Sequence, residues 1–211
     1  MSRALTAILN GEVETQFLRP DSGRVIGLTG GPGAGKSSAI SAVLSRLSHR
    51  DIAVAVLAVD PSSAKTGGGV LGDRIRMQEH ATHPDFFIRS IATRGELGGV
   101  VSHISSALNY LLSCGFDVIF VETVGVGQNE ISVADIVDHV ALLVAPHGGD
   151  EIQALKSGVM EIADSIWLTK SDVADSSSAQ SQLEKIVDVP VGQLSVFNRA
   201  SVDHFLEIVL P

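Results

Sequence analysis

Short apolar runs alternate along the chain with stretches of helical periodicity. Seven of the runs are rich in Val, Ile, Leu, Ala and Phe and predict buried strands, at 25–29, 53–59, 87–91, 118–123, 140–144, 165–169 and 191–194. Between them, apolar residues recur three and four positions apart, as on one face of a helix, in the stretches 40–47, 101–111 and 152–162. The alternation predicts an α/β protein with a mostly parallel sheet of about seven strands and helices on both faces.

The two ends of the chain add smaller elements to this pattern. Residues 1–23 precede the first strand and predict a peripheral segment, with a helix that ends before Pro20. A polar loop at 175–178 precedes a further helix, and a last helix is predicted at about 202–209. No repeat or low-complexity linker divides the remainder, so residues 24–211 are predicted to form one domain.

Composition narrows the possible partners. No apolar run reaches the roughly 18 to 20 residues that span a bilayer, and the first twenty residues lack a signal-peptide pattern, so a cytoplasmic protein without a membrane partner is predicted. The formal net charge of −9 argues against a nucleic-acid partner. Cys114 is the only cysteine, which excludes a disulfide framework and a CxxC pair. Its apolar neighbours predict a small buried side chain.

A glycine-rich stretch links the first predicted strand to the helix after it. It reads GGPGAGKS (30–37) and has the spacing GxxxxGK[ST] of the phosphate-binding loop of P-loop NTPases. Glycines allow several backbone N–H groups to converge on phosphate oxygens, at the positive end of the following helix. Lys36 is predicted to reach the β and γ phosphates, and Ser37 to bind Mg²⁺. The predicted phosphate-binding residues are Gly30, Gly31, Pro32, Gly33, Ala34, Gly35, Lys36, Ser37 and Ser38.

Two acidic residues follow apolar strands. Asp60 ends the second predicted strand and Glu122 ends the fourth, and ligands of open α/β sheets bind at the carboxyl ends of strands. Both are candidate Mg²⁺ ligands or hold the water shell of the ion, although either could instead cap the loop that it begins. Gly125 and Gly127 make 124–130 a candidate switch segment.

The sixth predicted strand ends in a candidate base-recognition motif. The tetrapeptide TKSD (169–172) matches [NT]KxD, in which Asp172 would accept hydrogen bonds from guanine and Lys170 would lie against the base; Thr169 stands where asparagine is commoner. Ser195 and Val196, after the seventh strand, occupy the place of the backbone segment that touches the base oxygen. A chance loop is the alternative interpretation. The motif favours GTP and GDP over adenine nucleotides.

Five longer stretches occur together in order: LAVDPSS (57–63), TGGGVLGDRIRM (66–77), GELGGV (95–100), FDVIFVETVGVGQNE (116–130) and GDEIQALKSGVMEIAD (149–164). In these the chain resembles the MeaB or ArgK family of GTPases. The resemblance implies a GTP-hydrolysing chaperone that gates cofactor loading or protection of an adenosylcobalamin-dependent acyl-CoA mutase, such as methylmalonyl-CoA mutase. It implies a magnesium site of Ser37, Asp60, Asp73 and Glu122, and mobile switch segments at 65–76, 124–130 and 148–156.

Members of that family carry a helical extension before the phosphate-loop strand and a C-terminal arm that makes dimer contacts. Here residues 1–23 precede the strand, and the sequence stops soon after the last predicted helix. Any homodimer is therefore expected to form by a route other than that arm.

In the mechanism that we expect, water attacks the γ phosphate in line, with Lys36, Glu122 and Asp60 as the principal catalytic groups. Arg76, Arg94 and Gln128 are candidates for assisting the attack, but none is an obvious intrinsic finger, so slow, partner-stimulated turnover is expected. Two other enzyme classes stay open: a metal-delivery (nickel) GTPase, which usually shows a Cys-Pro-Cys or a histidine-rich segment, and a small-molecule kinase with a phosphate loop. A module that binds GTP without hydrolysing it is a further alternative.

Overall fold

The computed structural model describes residues 1–13, 17–61, 78–93, 97–123, 134–145, 158–172 and 177–210. Seven strands lie in these ranges: β1 (Arg24–Thr29), β2 (Val54–Pro61), β3 (Phe86–Thr93), β4 (Val118–Glu122), β5 (His139–Val144), β6 (Ser165–Thr169) and β7 (Val191–Leu194). They form one sheet in the order β3-β2-β4-β1-β5-β6-β7, and every neighbouring pair is parallel. The prediction of seven strands is confirmed, and each strand begins and ends within two residues of its predicted bounds.

Five α-helices lie in the described ranges: α1 (Ser2–Leu9), α2 (Lys36–Leu47), α3 (Leu97–Ser113), α4 (Ser177–Leu183) and α5 (Arg199–Val209). A 3-10 turn, Gln78–His80, precedes β3. The helices predicted around 40–47, 101–111 and 202–209 are confirmed. The first helix is shorter than predicted, since α1 ends at Leu9 rather than near Pro20.

Helices cover both faces of the sheet, because the side chains of each strand alternate between two cores. On one face, α2 and α5 pack against strand residues such as Ile26, Phe120 and Trp167. On the other face, α1 and α3 pack against Val25 and Ile119 among others. Parallel strands buried on both faces read as continuous apolar runs, which is why the sequence pattern located them.

Two details differ from expectation. Residues 158–162 form turns rather than the end of a helix, with Gly158 at a φ of 78°, and residues 151–157 lie outside the described residues. Val159 still packs against the core formed around β5 and β6, so its apolar character reflects burial and not helical periodicity.

Cys114 is exposed in the turn after α3, so the prediction that it is buried is wrong.

A buried polar network lies at the start of β5 and β6. The Nε2 atom of His139 lies 2.8 Å from Ser165 Oγ, and the indole N–H of Trp167 donates to the same oxygen at 2.9 Å. Since Ser165 Oγ accepts from the indole, it can donate its own proton to His139, which must then be neutral at Nε2. Burial lowers the pKa of His139; nearby Arg24 also lowers it, and Asp164 partly opposes the shift.

No helix in the described part of the chain is both long enough and apolar enough to span a bilayer.

Candidate nucleotide-binding site

Glycine backbone geometry shapes the loop that follows β1. Gly30, Gly33 and Gly35 have φ angles of 141°, 78° and 91°, in the left-handed region that other residues rarely adopt. A Cβ atom added to Gly30 would lie only 2.1 Å from the carbonyl oxygen of Leu143 in β5. Because the contact is with backbone, no side-chain movement could relieve it, and the loop can leave β1 in this direction only with glycine.

The outer surface of this loop faces open space. Cβ atoms added to Gly31 and Gly33 would meet no atom of the described residues within 4 Å, and Pro32 is exposed. The next helix, α2, begins at Lys36, so the positive end of its dipole lies beside the loop. The arrangement suits a phosphate group, as the sequence motif predicts.

The Lys36 side chain folds back against the loop. Its Nζ atom donates to the carbonyl oxygens of Gly30 at 2.6 Å and Gly31 at 3.2 Å, and the residue is only 7% exposed. A buried ammonium group needs such polar partners. They hold the charge beside the loop amides, where it can stabilise a polyphosphate. Ser38, also predicted to join the site, lies half-buried in the first turn of α2.

Two of the predicted magnesium-site residues are brought together. The Ser37 hydroxyl donates to Glu122 Oε1 at 2.7 Å, and both residues are buried, at 8% and 6% exposure. They meet because β1 and β4 are neighbours, with Leu28 paired to Glu122 in the register. A hydroxyl and a carboxylate oxygen at one point are hard oxygen donors of the kind that Mg²⁺ prefers, so the residues fit this ion.

Asp60 lies at the same edge of the sheet. It is the last residue but one of β2, two positions beyond Ala58, which is paired with Glu122 in β4. The backbone register therefore supports its prediction as a group near the ion, while its side chain lies outside the described residues. Asp73, the fourth predicted magnesium-site residue, also lies outside them.

Thr169 connects the base-recognition motif to the phosphate loop. Its hydroxyl donates to the carbonyl oxygen of Ala34 at 2.7 Å, and the carbonyl oxygen of Val144 lies 3.2 Å away. Thr169 and Ala34 are both buried. The end of β6 is thus tied by a side chain to a loop more than 130 residues earlier in the chain.

Asp172 and Ser195 also meet, although they are 23 residues apart. The Ser195 hydroxyl donates to Asp172 Oδ1 at 2.7 Å. Lys170, between the strand and the aspartate, is exposed and has a left-handed φ of 55°, which turns the chain sharply at the end of β6. The carboxylate predicted to read the base is therefore oriented by a residue of the predicted backbone-contact segment.

The backbone of that segment presents a donor. The Phe197 N–H donates to Ser195 Oγ at 3.3 Å, whereas no acceptor for the Val196 N–H occurs within the described ranges. The location predicted for a contact to the base oxygen thus has a suitable N–H group. Sequence reasoning missed Ser201, which binds the backbone of Ser195 from the first turn of α5. A serine six residues beyond a weak motif carries no recognisable signal.

Comparison with known families identifies the group to which this site belongs. A family model described as methylmalonyl Co-A mutase-associated GTPase MeaB matches residues 11–199. The chain belongs to this family. The match includes every predicted site residue, so the resemblance seen in the sequence motifs is confirmed at the level of the MeaB family.

The names of individual relatives are consistent with this family assignment. The chain is 45% identical over 165 residues to a putative GTPase of Pyrococcus abyssi, an alignment that covers 78% of this chain and 51% of the relative. It is 48% identical over 148 residues to a protein of Caenorhabditis elegans named methylmalonic aciduria type A homolog, mitochondrial, with 70% of this chain and 37% of the relative covered. This MeaB-family chain therefore spans about half the length, or less, of these relatives.

A solved structure confirms the fold. The crystal structure of LAO/AO transport system kinase superimposes with a TM-score of 0.70 at 27% sequence identity, covering 99% of this chain and 62% of that one. The predicted α/β fold of the P-loop class is thereby confirmed for this MeaB-family chain. The predicted switch segments, 65–76, 124–130 and 148–156, lie outside the described residues, as do the candidate assisting residues Arg76, Arg94 and Gln128.

Proposed function

We propose that this chain binds GTP and GDP together with Mg²⁺ and hydrolyses GTP to GDP and phosphate. The observation that carries the proposal is the Thr169 hydrogen bond to Ala34, which joins a phosphate loop to a guanine-recognition motif in one site. Membership of a family of GTPases supports it. In this proposal residues 24–211 form the nucleotide-binding domain and residues 1–23 a peripheral segment, whose Leu5 and Ile8 are buried against α3.

The residues of the loop divide the work of binding. The amides from Gly30 to Ser38 and the start of α2 surround the phosphates, and Lys36 neutralises negative charge that builds up on the transferring group. Ser37, Glu122 and Asp60, with Asp73 as a further candidate, would hold Mg²⁺, which would neutralise negative charge on the phosphates. Catalysis is then mainly the positioning of water in line with the leaving group.

The residues after β6 and β7 would select the base of the nucleotide. Asp172 would accept hydrogen bonds from the N1 and exocyclic amino groups of guanine, and the Val196 N–H would donate to the base oxygen. Adenine offers the opposite donor and acceptor pattern at these positions. Lys170, exposed at the turn after β6, would lie against the face of the base.

We propose further that the client of this GTPase is an adenosylcobalamin-dependent acyl-CoA mutase, whose cofactor loading or protection it gates. The family description and the name of the nematode relative support this client. The test measures how much purified mutase this chain captures in three conditions: with GDP, with a non-hydrolysable GTP analogue and without nucleotide. Equal capture in the three conditions contradicts nucleotide-gated assembly.

The activity itself is tested by measuring phosphate release from GTP with Mg²⁺, alone and with the mutase. We expect slow turnover that the mutase accelerates. Fast hydrolysis without any partner contradicts this expectation, and transfer of phosphate to an added small molecule would favour the kinase alternative. For the nickel-delivery alternative, no cluster of three or more His, Cys, Asp or Glu side chains suited to a metal ion occurs in the described part of the chain.

A further inference from the structure

Ser201 makes an unusual set of contacts for a residue in the first turn of a helix. Its Oγ atom accepts the Ser195 N–H at 3.0 Å, and it lies 2.9 Å from the Ser195 carbonyl oxygen and 2.8 Å from the Asn198 carbonyl oxygen. One hydroxyl can accept one such bond while donating its proton to one of the two carbonyls. Ser201 therefore closes the four-residue turn between β7 and α5, because it accepts the Ser195 N–H and donates its proton to the carbonyl oxygen of Ser195 or of Asn198.

A second set of hydrogen bonds, made by Asn198, stabilises the turn at the start of α5. The Asn198 side chain caps α5 by accepting from the N–H groups of Ala200 and Ser201, and the Asn198 N–H donates to the Ser195 carbonyl oxygen at 3.0 Å. These bonds fix the direction of the helix. The bond from the Ser195 N–H, however, is made by Ser201 alone among the described residues, so the orientation of Ser195 depends on it.

The orientation of Ser195 matters because of what its side chain does. Ser195 is only 3% exposed, and its hydroxyl donates to Asp172 Oδ1 at 2.7 Å. Asp172 itself is exposed and would otherwise rotate freely. Fixing Ser195 thus fixes one oxygen of the carboxylate that faces the base.

We propose that Ser201 is a positioning residue for guanine recognition, acting through Ser195 on Asp172 and on the Val196 N–H. The proposal rests on the guanine-nucleotide binding proposed above and adds a residue that contacts neither the base nor the phosphates. Loss of the Ser201 hydroxyl then weakens contacts to the base and leaves those of the phosphate loop intact. It should act most on the hydrogen bond that the exocyclic amino group of guanine would donate to Asp172.

The test compares GDP with inosine diphosphate, which lacks that amino group, by calorimetry in the presence of Mg²⁺. In Ser201→Ala we expect the Kd for GDP to rise about three- to tenfold, the loss expected for one ordinary hydrogen bond, and the Kd for inosine diphosphate to rise less. The Kd for inosine diphosphate divided by the Kd for GDP should therefore fall towards one. Ser201→Thr, which keeps a hydroxyl, should restore the wild-type ratio.

A matched control and a double variant complete the design. Ser113→Ala removes an equivalent serine hydroxyl, bonded to the Tyr110 carbonyl oxygen at 2.7 Å at the far end of α3, and should leave both affinities unchanged. In an Asp172→Ala background, Ser201→Ala should not change the ratio further, because the two residues act on one contact.

The outcomes separate this inference from the proposed function. If the wild-type protein binds neither diphosphate, the proposed function fails. If the wild type prefers GDP and Ser201→Ala keeps that preference, with both affinities equal to the wild type or both reduced by the same factor, the positioning role is overturned while nucleotide binding stands. Should Ser201→Ala fail to fold, Ser201→Cys, whose thiol is a weaker acceptor, gives the same comparison, and an unchanged ratio there overturns the proposal equally.

Discussion

Replacing Thr169 by valine tests whether the two halves of the site depend on each other. The residue is only 4% exposed, and its hydroxyl donates to the Ala34 carbonyl oxygen at 2.7 Å. Valine has nearly the same shape but puts a methyl group where the hydroxyl lies. A methyl carbon cannot approach a carbonyl oxygen to 2.7 Å, because non-bonded carbon contacts are optimal at about 3.5 to 4.0 Å. The phosphate loop must therefore move away from β6.

The size of the effect follows from these contacts. Losing an ordinary hydrogen bond costs about 0.5 to 1.5 kcal/mol, and leaving a buried carbonyl without a donor raises the cost to about 1 to 3 kcal/mol. For a domain of this size, each kcal/mol lowers Tm by about 2 to 4 °C, so we expect Tm to fall by about 2 to 12 °C. Displacement of the loop should also weaken GDP binding by about tenfold or more, since several amides must converge on the phosphates.

The assay is thermal unfolding with and without GDP and Mg²⁺, together with calorimetric Kd values. Thr169→Ser, which keeps the hydroxyl, should restore most of the GDP affinity. Thr6→Val is the matched control, because Thr6 lies on α1, away from the loop, and its hydroxyl is bonded to the Ser2 carbonyl oxygen and to Arg89 of β3. That control should keep the wild-type GDP affinity, whatever its Tm. A Thr169→Val protein with wild-type GDP affinity would refute the reasoning that this hydroxyl aligns the loop.

Three further predictions follow from single contacts. Asp172→Asn should weaken GDP binding about 100-fold and favour xanthosine diphosphate, as two charge-assisted bonds are lost and an amide suits the xanthine pattern; unchanged preference in calorimetry would show that Asp172 does not contact the base. Gly30→Ala should abolish nucleotide binding or folding, because its Cβ would lie 2.1 Å from the Leu143 carbonyl oxygen, and a well-folded variant with normal Kd contradicts that geometry. Burial lowers the pKa of His139, so this residue binds fewer protons in the folded state than in the unfolded state. The contribution of neutral His139 to stability is therefore fully present above the unfolded pKa of about 6.5. That contribution is lost as the pH falls through the lower pKa of the folded state. The Tm of the wild type should therefore drop more steeply below pH 6.5 than that of His139→Gln, which keeps an acceptor for Ser165; parallel profiles would contradict the neutral-histidine assignment.

The strands and the phosphate loop were predictable because their causes are local. A strand buried on both faces must be apolar at successive positions, and a phosphate loop needs glycine, lysine and serine at fixed spacing. Asp172 was found for the same reason. The contact of Asp172 with Ser195 was not predicted from the sequence. It depends on how β6 and β7 align in the sheet, and Ser195 matched its motif only poorly.

The errors have the same physical origin. Cys114 has apolar neighbours on both sides, but it follows the last turn of α3, where the chain turns at Gly115 with a φ of 91° and leaves the side chain exposed. Apolar residues in 152–162 have helical spacing, yet 158–162 form turns whose apolar side chains pack against the core. Spacing alone does not separate a helix from a turn that lies over a buried face.

The central claim is that one site holds a triphosphate by loop amides and an ammonium group while a carboxylate selects guanine. It is tested most directly by calorimetric titration of the wild type and of Lys36→Ala with GDP, a non-hydrolysable GTP analogue and ADP, each with Mg²⁺. The account predicts saturable binding of both guanine nucleotides by the wild type, far weaker binding of ADP, and loss of tight binding in Lys36→Ala. Absence of binding heat with both guanine nucleotides, or equal affinity for GDP and ADP, would contradict it.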